Sequence, residues 1–252
     1  MIMTPLKHNS MTSCLGFIPA RSGSKRIVNK NTKLLNGHPL LAYTISAALN
    51  SKIFSRVIVS TDSGEIADIA LKYDAEVPFL RPKEFATDIS PDIEWVKHLL
   101  LEFQNQGKMA ECFAILRPTS PFRQPETIDR AWKQFLADDA DSLRAVEKCK
   151  QHPAKMWSIK GGRMEPVMKN PDSSGTPWHS MPYQVLPEVY VQNASLEIAQ
   201  CSVPLVRGTI AGDEIMPFFT EKYEGFDINT SEDWIVAEYL INNKLARLPK
   251  IR

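Results

Sequence analysis

The sequence predicts an α/β fold in which a mainly parallel sheet carries helices on both faces. Short apolar runs alternate along the chain with segments of helical periodicity, a pattern typical of βαβ units. The composition agrees, since the 252 residues are 43% hydrophobic and 23% charged, close to the average of globular domains. A chain of this length can bury a full core, so we expect one main domain with an elaboration.

The individual elements follow from apolar periodicity and from the residues that begin or end them. The first strand is short and wholly apolar and runs into a loop that contains Ser, Gly and Arg. The turn at 61–63 can cap the helix that follows it, and we interpret Asp62 as the cap, while Ser231 begins the last helix. In chain order, the predicted strands cover 14–19, 56–60, 75–80, 112–116, 142–146 and 189–199, and the predicted helices cover 39–50, 64–73, 91–104, 125–137 and 231–242.

Four segments divide the chain. Residues 1–13 form an N-terminal tail with Met11 as an alternative start, 14–149 form the α/β core, 150–190 form an arm, and 191–252 return to the core. The arm is irregular but rich in large apolar residues, which are Met156, Trp157, Met164, Met168, Trp178 and Met181. Such apolar area favours burial against another surface, and we interpret the arm as a homodimer contact. A loose surface excursion is the alternative.

Charge and cysteine usage exclude several classes of protein. A net charge of +1 provides no global attraction to nucleic acid or to an anionic membrane, so we expect neither partner. The opening segment lacks the apolar run of a secretion signal or membrane anchor. The four cysteines are widely spaced and form no CxxC pair, which argues against a zinc or redox motif and favours buried thiols in a reducing cytoplasm.

The loop Pro19–Asn31, which follows the first strand, has the composition of a polyphosphate site. It contains four cations, Arg21, Lys25, Arg26 and Lys30, beside a glycine that lets backbone N–H groups approach an anion. A solvated basic loop is the alternative. The loop matches neither GxxxxGK[ST] nor GxGxxG, so the usual kinase and dehydrogenase motifs are excluded.

Other polar residues follow the remaining predicted strands. Thr61 and Asp62 follow the second strand, Arg81 follows the third, and residues 117–120 follow the fourth. Ligands of parallel α/β sheets gather at the carboxyl ends of the strands. These residues and the basic loop are therefore expected to share one site.

Four motifs resemble one protein family in order and spacing. They are Ile-Pro-Ala-Arg-Ser-Gly-Ser-Lys-Arg-Ile-Val-Asn-Lys-Asn, Val-Ile-Val-Ser-Thr-Asp, Leu-Arg-Pro and Arg-Pro-Thr-Ser-Pro-Phe-Arg. The chain resembles the cytidylyltransferases that activate sialic acids and other nonulosonic acids as CMP-sugars, which are relatives of CMP-Kdo synthetases. The resemblance implies a Rossmann-like nucleotide-diphosphosugar transferase fold with a protruding dimerisation arm. It also implies Mg²⁺-dependent attack of a sugar hydroxyl on the α-phosphate of CTP, with release of pyrophosphate.

By family position, the resemblance assigns roles to residues of the core. Arg21 and Lys30 would contact the triphosphate and, together with Asp227, form the catalytic set. The implied nucleotide-binding set is Pro19, Ala20, Arg21, Gly23, Lys25, Lys30, Asn31, Arg81, Ser90 and Asp92. Phosphoryl transfer needs positioning and charge neutralisation more than covalent chemistry, which lysines, arginines and a metal supply.

The implied metal site departs from the family, which usually carries Asp-x-Asp where this chain has Asp227, Ile228 and Asn229. Side chains two apart on an extended segment point the same way, so Asp227 and Asn229 are predicted to face one Mg²⁺. Asn offers only a neutral oxygen, whereas Mg²⁺ prefers carboxylates, water and phosphates. An Asx turn before the last helix is the alternative.

The implied acceptor site departs further. Its predicted residues are Arg117, Thr119, Ser120, Lys155, Gln192 and Asn193. Arg117 stands where the sialic acid enzymes usually have Gln, and Tyr183 and Val191 fall near arginines that help those enzymes hold the sugar carboxylate. Neither tyrosine nor valine can replace a bidentate arginine without changing what is recognised. A nucleotidyltransferase with another base or a non-sialic acceptor, and a non-catalytic nucleotide-binding protein, therefore stay open.

Overall fold

The computed structural model describes residues 12–171 and 175–251. Most of the predicted N-terminal tail, including Met11, lies outside the described residues. The chain divides into two compact units. The first unit comprises the residues up to Ala145 and those from Asn193 onward, and the second comprises Val146–Gln192.

The strands of the described ranges form one large sheet and two small hairpins. In chain order they are β1 Cys14–Pro19, β2 Leu34–Leu35, β3 His38–Pro39, β4 Phe54–Ser60, β5 Cys112–Ile115, β6 Ser142–Lys148, β7 Trp157–Lys160, β8 Arg163–Pro166, β9 Tyr190–Gln200 and β10 Ile215–Phe219. The large sheet has the order β10-β6-β9-β5-β1-β4. Strand β1 runs parallel to β4 and β5, and β9 runs antiparallel to β5 with Glu197 opposite Ile115.

Within the residues that the structure describes, five α-helices accompany these strands. They are α1 Leu40–Ser51, α2 Gly64–Lys72, α3 Asp92–Asn105, α4 Pro125–Leu136 and α5 Ser231–Asn242. Successive side chains of a strand point to opposite faces, and neighbours in β1 accordingly enter different cores. Phe17 packs with Trp95 of α3, whereas Ile18 belongs to the cluster that contains Leu41 of α1 and Ile128 of α4. The predicted α/β fold with helices on both faces is confirmed.

Two local predictions need correction. The predicted strand over 75–80 is a loop with one isolated bridge between Ile58 and Glu76, and Pro78 has no N–H with which to extend the ladder. Asp62 does not cap α2, because the side chain of Ser63 accepts the hydrogen bond from Ile66 N. Helix α5 begins at Ser231 as predicted, and its N-cap is the preceding residue Thr230, which forms a capping box with Asp233.

The second unit contains the hairpin β7–β8 and several short 3-10 turns. The His152 ring is buried, with Nδ1 accepting from Ala154 N and Nε2 lying 2.8 Å from Pro187 O. Large apolar side chains remain exposed on this unit, among them Ile159, Met164 and Val167.

The four cysteines of the chain are free thiols. Cys14, Cys112 and Cys201 are free and buried, and Cys149 is free and half-buried. Burial raises the pKa of the Cys112 thiol to about 12, so this side chain behaves as a small hydrophobe.

Within the described ranges, no helix combines the length and the apolar character that crossing a bilayer requires.

Replacing Thr230 with Ala should destabilise the first unit. The hydroxyl that accepts from Asp233 N is lost, and the free energy of unfolding should fall by about 1 kcal/mol. Ser231→Ala is the matched control, because Ser231 is exposed and makes no cap, and its effect should stay below about 0.5 kcal/mol. Urea unfolding measures both variants, and equal losses would contradict the assignment of the cap.

Candidate active site

A cavity of about 220 Å³ lies at the carboxyl ends of β1 and β5. It is lined by Pro19, Arg21, Ser24, Lys30, Asn31, Arg81, Phe85, Thr87, Asp88, Ser90, Asp92, Trp95, Arg117, Pro118 and Thr119. The structure thus brings together many of the residues that the sequence assigned to nucleotide and acceptor. Gly23 does not line this cavity but borders a smaller one of about 40 Å³ on the same loop.

The loop after β1 is held in place by Asp62. The carboxylate of Asp62 accepts from Ser22 N at 2.7 Å and from Ser22 Oγ at 2.6 Å. Burial acts to raise the pKa of Asp62, but these hydrogen bonds outweigh it and the pKa lies below its ordinary value. Gly23 follows with a φ of 70°, a left-handed conformation that favours glycine. Asp62 therefore holds the loop in place through Ser22.

Two loop cations share one carboxylate at the mouth of the cavity. Arg21 Nη2 lies 2.7 Å from Asp88 Oδ1, and Lys25 Nζ forms an ion pair with Asp88 Oδ2. Hydrogen bonds from Lys25 and Arg21 lower the pKa of Asp88. The two cations, which were predicted to bind the nucleotide, are thus paired with an exposed carboxylate.

Lys30 connects the loop to the predicted metal segment. Its Nζ donates to Ile228 O at 2.9 Å. Burial lowers the pKa of Lys30, with Arg26 and Arg21 acting in the same direction and Asp227 opposing them. The ammonium is therefore partly desolvated and held next to a carboxylate.

The predicted metal residues are adjacent in the structure. Asn229 Nδ2 donates to Asp227 Oδ2, while Asp227 Oδ1 is buried and has no hydrogen-bond partner among the described residues. An unsatisfied carboxylate oxygen fits a hard cation. No cluster of three or more Asp, Glu, His or Cys side chains suited to a metal occurs in the part of the chain that the structure describes. These residues fit a Mg²⁺ ion that draws most of its ligands from phosphate and water.

Arg81 forms part of the rigid wall of the cavity. Its guanidinium donates to Ser60 Oγ at 2.9 Å and to Ser60 O at 2.8 Å, and it lies 4.9 Å from the centre of the Trp95 ring. Burial lowers the pKa of Arg81 to about 10, so the side chain stays charged at neutral pH.

Arg117 is held between two carboxylates. Its Nη2 lies 2.5 Å from Asp92 Oδ2 and 2.8 Å from Glu197 Oε1, and Asp92 Oδ1 also accepts from Trp95 Nε1 at 2.8 Å. Burial opposes the charge, but Asp92 and Glu197 outweigh it and raise the pKa of Arg117. Arg117 lines the cavity as predicted, yet its charge is already balanced.

The remaining predicted residues are spread over both units. Ala20 is buried, and its N–H donates to Ser60 O. Ser120 is buried behind the lining residue Thr119. Asn193 Nδ2 donates to Thr220 Oγ1 at 2.9 Å.

Two predicted acceptor residues belong to the second unit. Lys155 Nζ donates to His179 O at 2.8 Å and to Met181 O at 2.5 Å. Gln192 is exposed. Their roles toward an acceptor stay predictions.

Sequence reasoning missed Asp88, Glu197 and Arg123. Arg123 is fully buried and donates to Thr44 Oγ1 at 2.9 Å and to Ser195 O, which joins α1 to β9. Burial lowers its pKa to about 9. A signal existed for Glu197, because a charged residue inside a predicted buried strand, here the strand over 189–199, requires a partner. Asp88 carries no such signal.

A cation-rich loop and a cavity at the carboxyl edge of a mainly parallel sheet suit the binding of a nucleotide polyphosphate. A sequence profile described as cytidylyltransferase matches residues 15–161. The chain therefore belongs to the cytidylyltransferase family, and it is an enzyme of the nucleotidyltransferase class.

Three similar proteins extend this result. The CMP-N,N'-diacetyllegionaminic acid synthase of Legionella pneumophila is 36% identical over 234 residues, which are 90% of this chain and 95% of that protein. The pseudaminic acid cytidylyltransferase of Campylobacter jejuni is 37% identical over 132 residues, 52% of this chain and 57% of that protein. A solved CMP:2-keto-3-deoxy-manno-octonic acid synthetase complexed with CTP has a TM-score of 0.67, at 11% identity over 92% of this chain and 100% of that chain. The predicted family and fold are confirmed.

Asp88→Asn should strengthen the binding of inorganic tripolyphosphate. The substitution releases Arg21 and Lys25 from their shared carboxylate, and the gain should be about three- to tenfold in affinity at low salt, because exposed ion pairs are weak and screened. Titration calorimetry measures it. Glu84→Gln, the same charge change on the same exposed loop, is the control and should have little effect. Weaker binding by Asp88→Asn would show that Asp88 orients the cations instead of competing for them.

Proposed function

We propose that this enzyme transfers CMP from CTP to a nonulosonic acid, with release of pyrophosphate. The observation that carries the proposal is the pair Arg21 and Lys30 beside one cavity, on a loop that Asp62 holds in shape. Similarity over nearly the whole chain to an enzyme named as a CMP-N,N'-diacetyllegionaminic acid synthase supports the sugar acid as acceptor.

The triphosphate lies along the loop after β1. Arg21 and Lys25 exchange Asp88 for phosphate oxygens, since phosphate is a stronger anion for guanidinium and ammonium groups than a single exposed carboxylate. Lys30, held by Ile228 O, supplies a further positive charge. Ribose and base occupy the part of the cavity that is lined by Asn31, Arg81, Ser90 and Asp92.

The reaction is an in-line displacement at the α-phosphorus. A hydroxyl oxygen of the sugar acid forms the new O–P bond, the bond between the α-phosphorus and the bridging oxygen breaks, and pyrophosphate leaves with the electron pair. The hydroxyl proton passes to solvent. Negative charge builds on the leaving oxygens, and fixed cations such as Arg21 and Lys30 stabilise it.

Asp227 and Asn229 hold the proposed Mg²⁺. When bound, the ion neutralises phosphate charge and acts as a Lewis acid. Asp227 Oδ1 supplies a carboxylate oxygen that has no hydrogen-bond partner among the described residues. Because Asn229 adds no charge, the affinity for the free ion should be low and should rise when nucleotide is present.

Turnover should require CTP, a nonulosonic acid and Mg²⁺ together. A pyrophosphate-release assay with each of the four nucleoside triphosphates and a panel of keto-sugar acids measures this requirement. Arg21→Ala and Lys30→Ala should each lower kcat/KM by about 100-fold or more, because they remove transition-state charge stabilisation. Lys72→Ala, an exposed lysine on α2, is the control. No turnover with CTP and any acid acceptor would reject the proposal.

The pH dependence of CTP binding should report Lys30. Burial lowers its pKa from 10.5, so the cation is present at neutral pH and is lost as pH rises through the lowered pKa. The KM for CTP should therefore begin to rise below pH 10.5. In Lys30→Arg this alkaline limb should move to higher pH, because arginine stays protonated. An identical limb in both enzymes would assign it to another group.

We also propose a cytoplasmic homodimer that is joined through the second unit. Ile159, Met164 and Val167 are 73%, 58% and 61% exposed, and a soluble chain gains by covering such a surface. Ile159→Asp together with Val167→Asp should convert the dimer to a monomer. Analytical ultracentrifugation measures the change, and a wild-type monomer at micromolar concentration would contradict the proposal.

A further inference from the structure

The acceptor of the proposed reaction brings a second anionic group to the site. A sugar acid carries a carboxylate, and the triphosphate already engages Arg21 and Lys30. The following inference rests on the proposed function. The acceptor carboxylate therefore needs another cation of the first unit.

Two guanidinium groups of the cavity wall are already committed. Arg81 donates to Ser60 and stacks on Trp95. Arg117 is held by Asp92 and Glu197 at hydrogen-bond distance. Neither can turn toward a new carboxylate without leaving a buried or half-buried partner unsatisfied, which is costly.

Arg144 is the third guanidinium of the same cluster. It lies on β6, the strand beside β9, and its Nη1 is 3.2 Å from Glu197 Oε2. The ion pair with Glu197 is the one polar contact of this side chain among the described residues. The side chain is 20% exposed, so part of the guanidinium remains open to solvent. Arg144 therefore combines a fixed position with unused donors.

Glu197 is shared by two guanidinium groups, those of Arg117 and Arg144. Arg117 also pairs with Asp92, whereas Arg144 has no second carboxylate among the described residues. Glu197 is nearly buried and its Oε2 makes no hydrogen bond among the described residues, so the ion pair fixes Arg144 and leaves donors of its guanidinium unused. These donors can bind a further carboxylate.

We infer that Arg144 is the specificity-determining residue that binds the carboxylate of the acceptor, with Glu197 positioning its guanidinium. Strands β5, β9 and β6 are neighbours, so the chain Asp92–Arg117–Glu197–Arg144 extends from the nucleotide cavity across the sheet. This chain has Tyr183 and Val191 near the positions where the sialic acid enzymes have arginines that help hold the sugar carboxylate. In this chain Arg144 binds that carboxylate instead.

The test compares a sugar acid with its carboxamide in wild type and in Arg144→Gln. N,N'-Diacetyllegionaminic, pseudaminic and N-acetylneuraminic acids are assayed, and the one with the fastest turnover is used with its primary carboxamide. In Arg144→Gln the KM for the acid should rise about 10- to 100-fold, while kcat and the KM for CTP change little. The preference of wild type for acid over amide should be lost.

Two further variants separate a carboxylate contact from a structural effect. Arg144→Lys should keep part of the acid preference, because lysine retains the charge but not the bidentate geometry. Arg130→Gln is the control, since Arg130 lies on α4, pairs with Glu224 and does not line the cavity, and the change should leave acceptor kinetics unchanged. Thermal unfolding verifies that the variants are folded.

An unchanged preference for acid over amide in Arg144→Gln would overturn the inference. If that variant does not fold, Arg144→Lys decides, and a wild-type KM for the acid together with a wild-type preference overturns it. Failure of the proposed function has a different result, because the wild-type enzyme would then turn over no acid with CTP.

Discussion

Compensation of positive charge at the carboxyl edge of the sheet is the constraint on which the rest of the structure depends. Arg21, Arg81 and Arg117 line one cavity, and like charges in a partly desolvated site repel strongly. Stable folding without substrate therefore requires anions or dipoles from elsewhere in the chain. Asp88, in the segment between α2 and α3, and Asp92, the first residue of α3, supply them.

The compensating carboxylates fall into two kinds, and burial separates them. Glu197 is nearly buried and pairs with Arg117. Because loss of this pair would leave an uncompensated buried charge, we interpret the contact as permanent. Asp88 is exposed, and exposed ion pairs contribute little and exchange easily. The first kind builds the wall of the site. The second kind orders the loop after β1, and we propose that it is displaced by phosphate.

The pattern of residues within short segments predicted many of the strands and helices. Residues 14–19 and 231–242 have the same bounds in the sequence-based prediction and in the structure, because continuous apolar runs and capping residues are local signals. The basic loop was also visible, since its four cations lie close together in one short segment. Contacts between distant segments were not, and the tether from Asp62 to Ser22 and the pairing of Arg117 with Glu197 span 40 and 80 residues. Such pairs depend on the topology of the sheet rather than on periodicity.

The central claim is that the loop after β1 binds the triphosphate of CTP in the cavity shared with Arg81 and Asp92. A crystal structure of the enzyme with CTP and Mg²⁺ tests it most directly. Phosphate oxygens should lie within hydrogen-bond distance of Arg21 and Lys30, with Asp88 displaced from Arg21. A nucleotide bound elsewhere, or bound in this cavity with the ion pair between Arg21 and Asp88 intact, would contradict the claim.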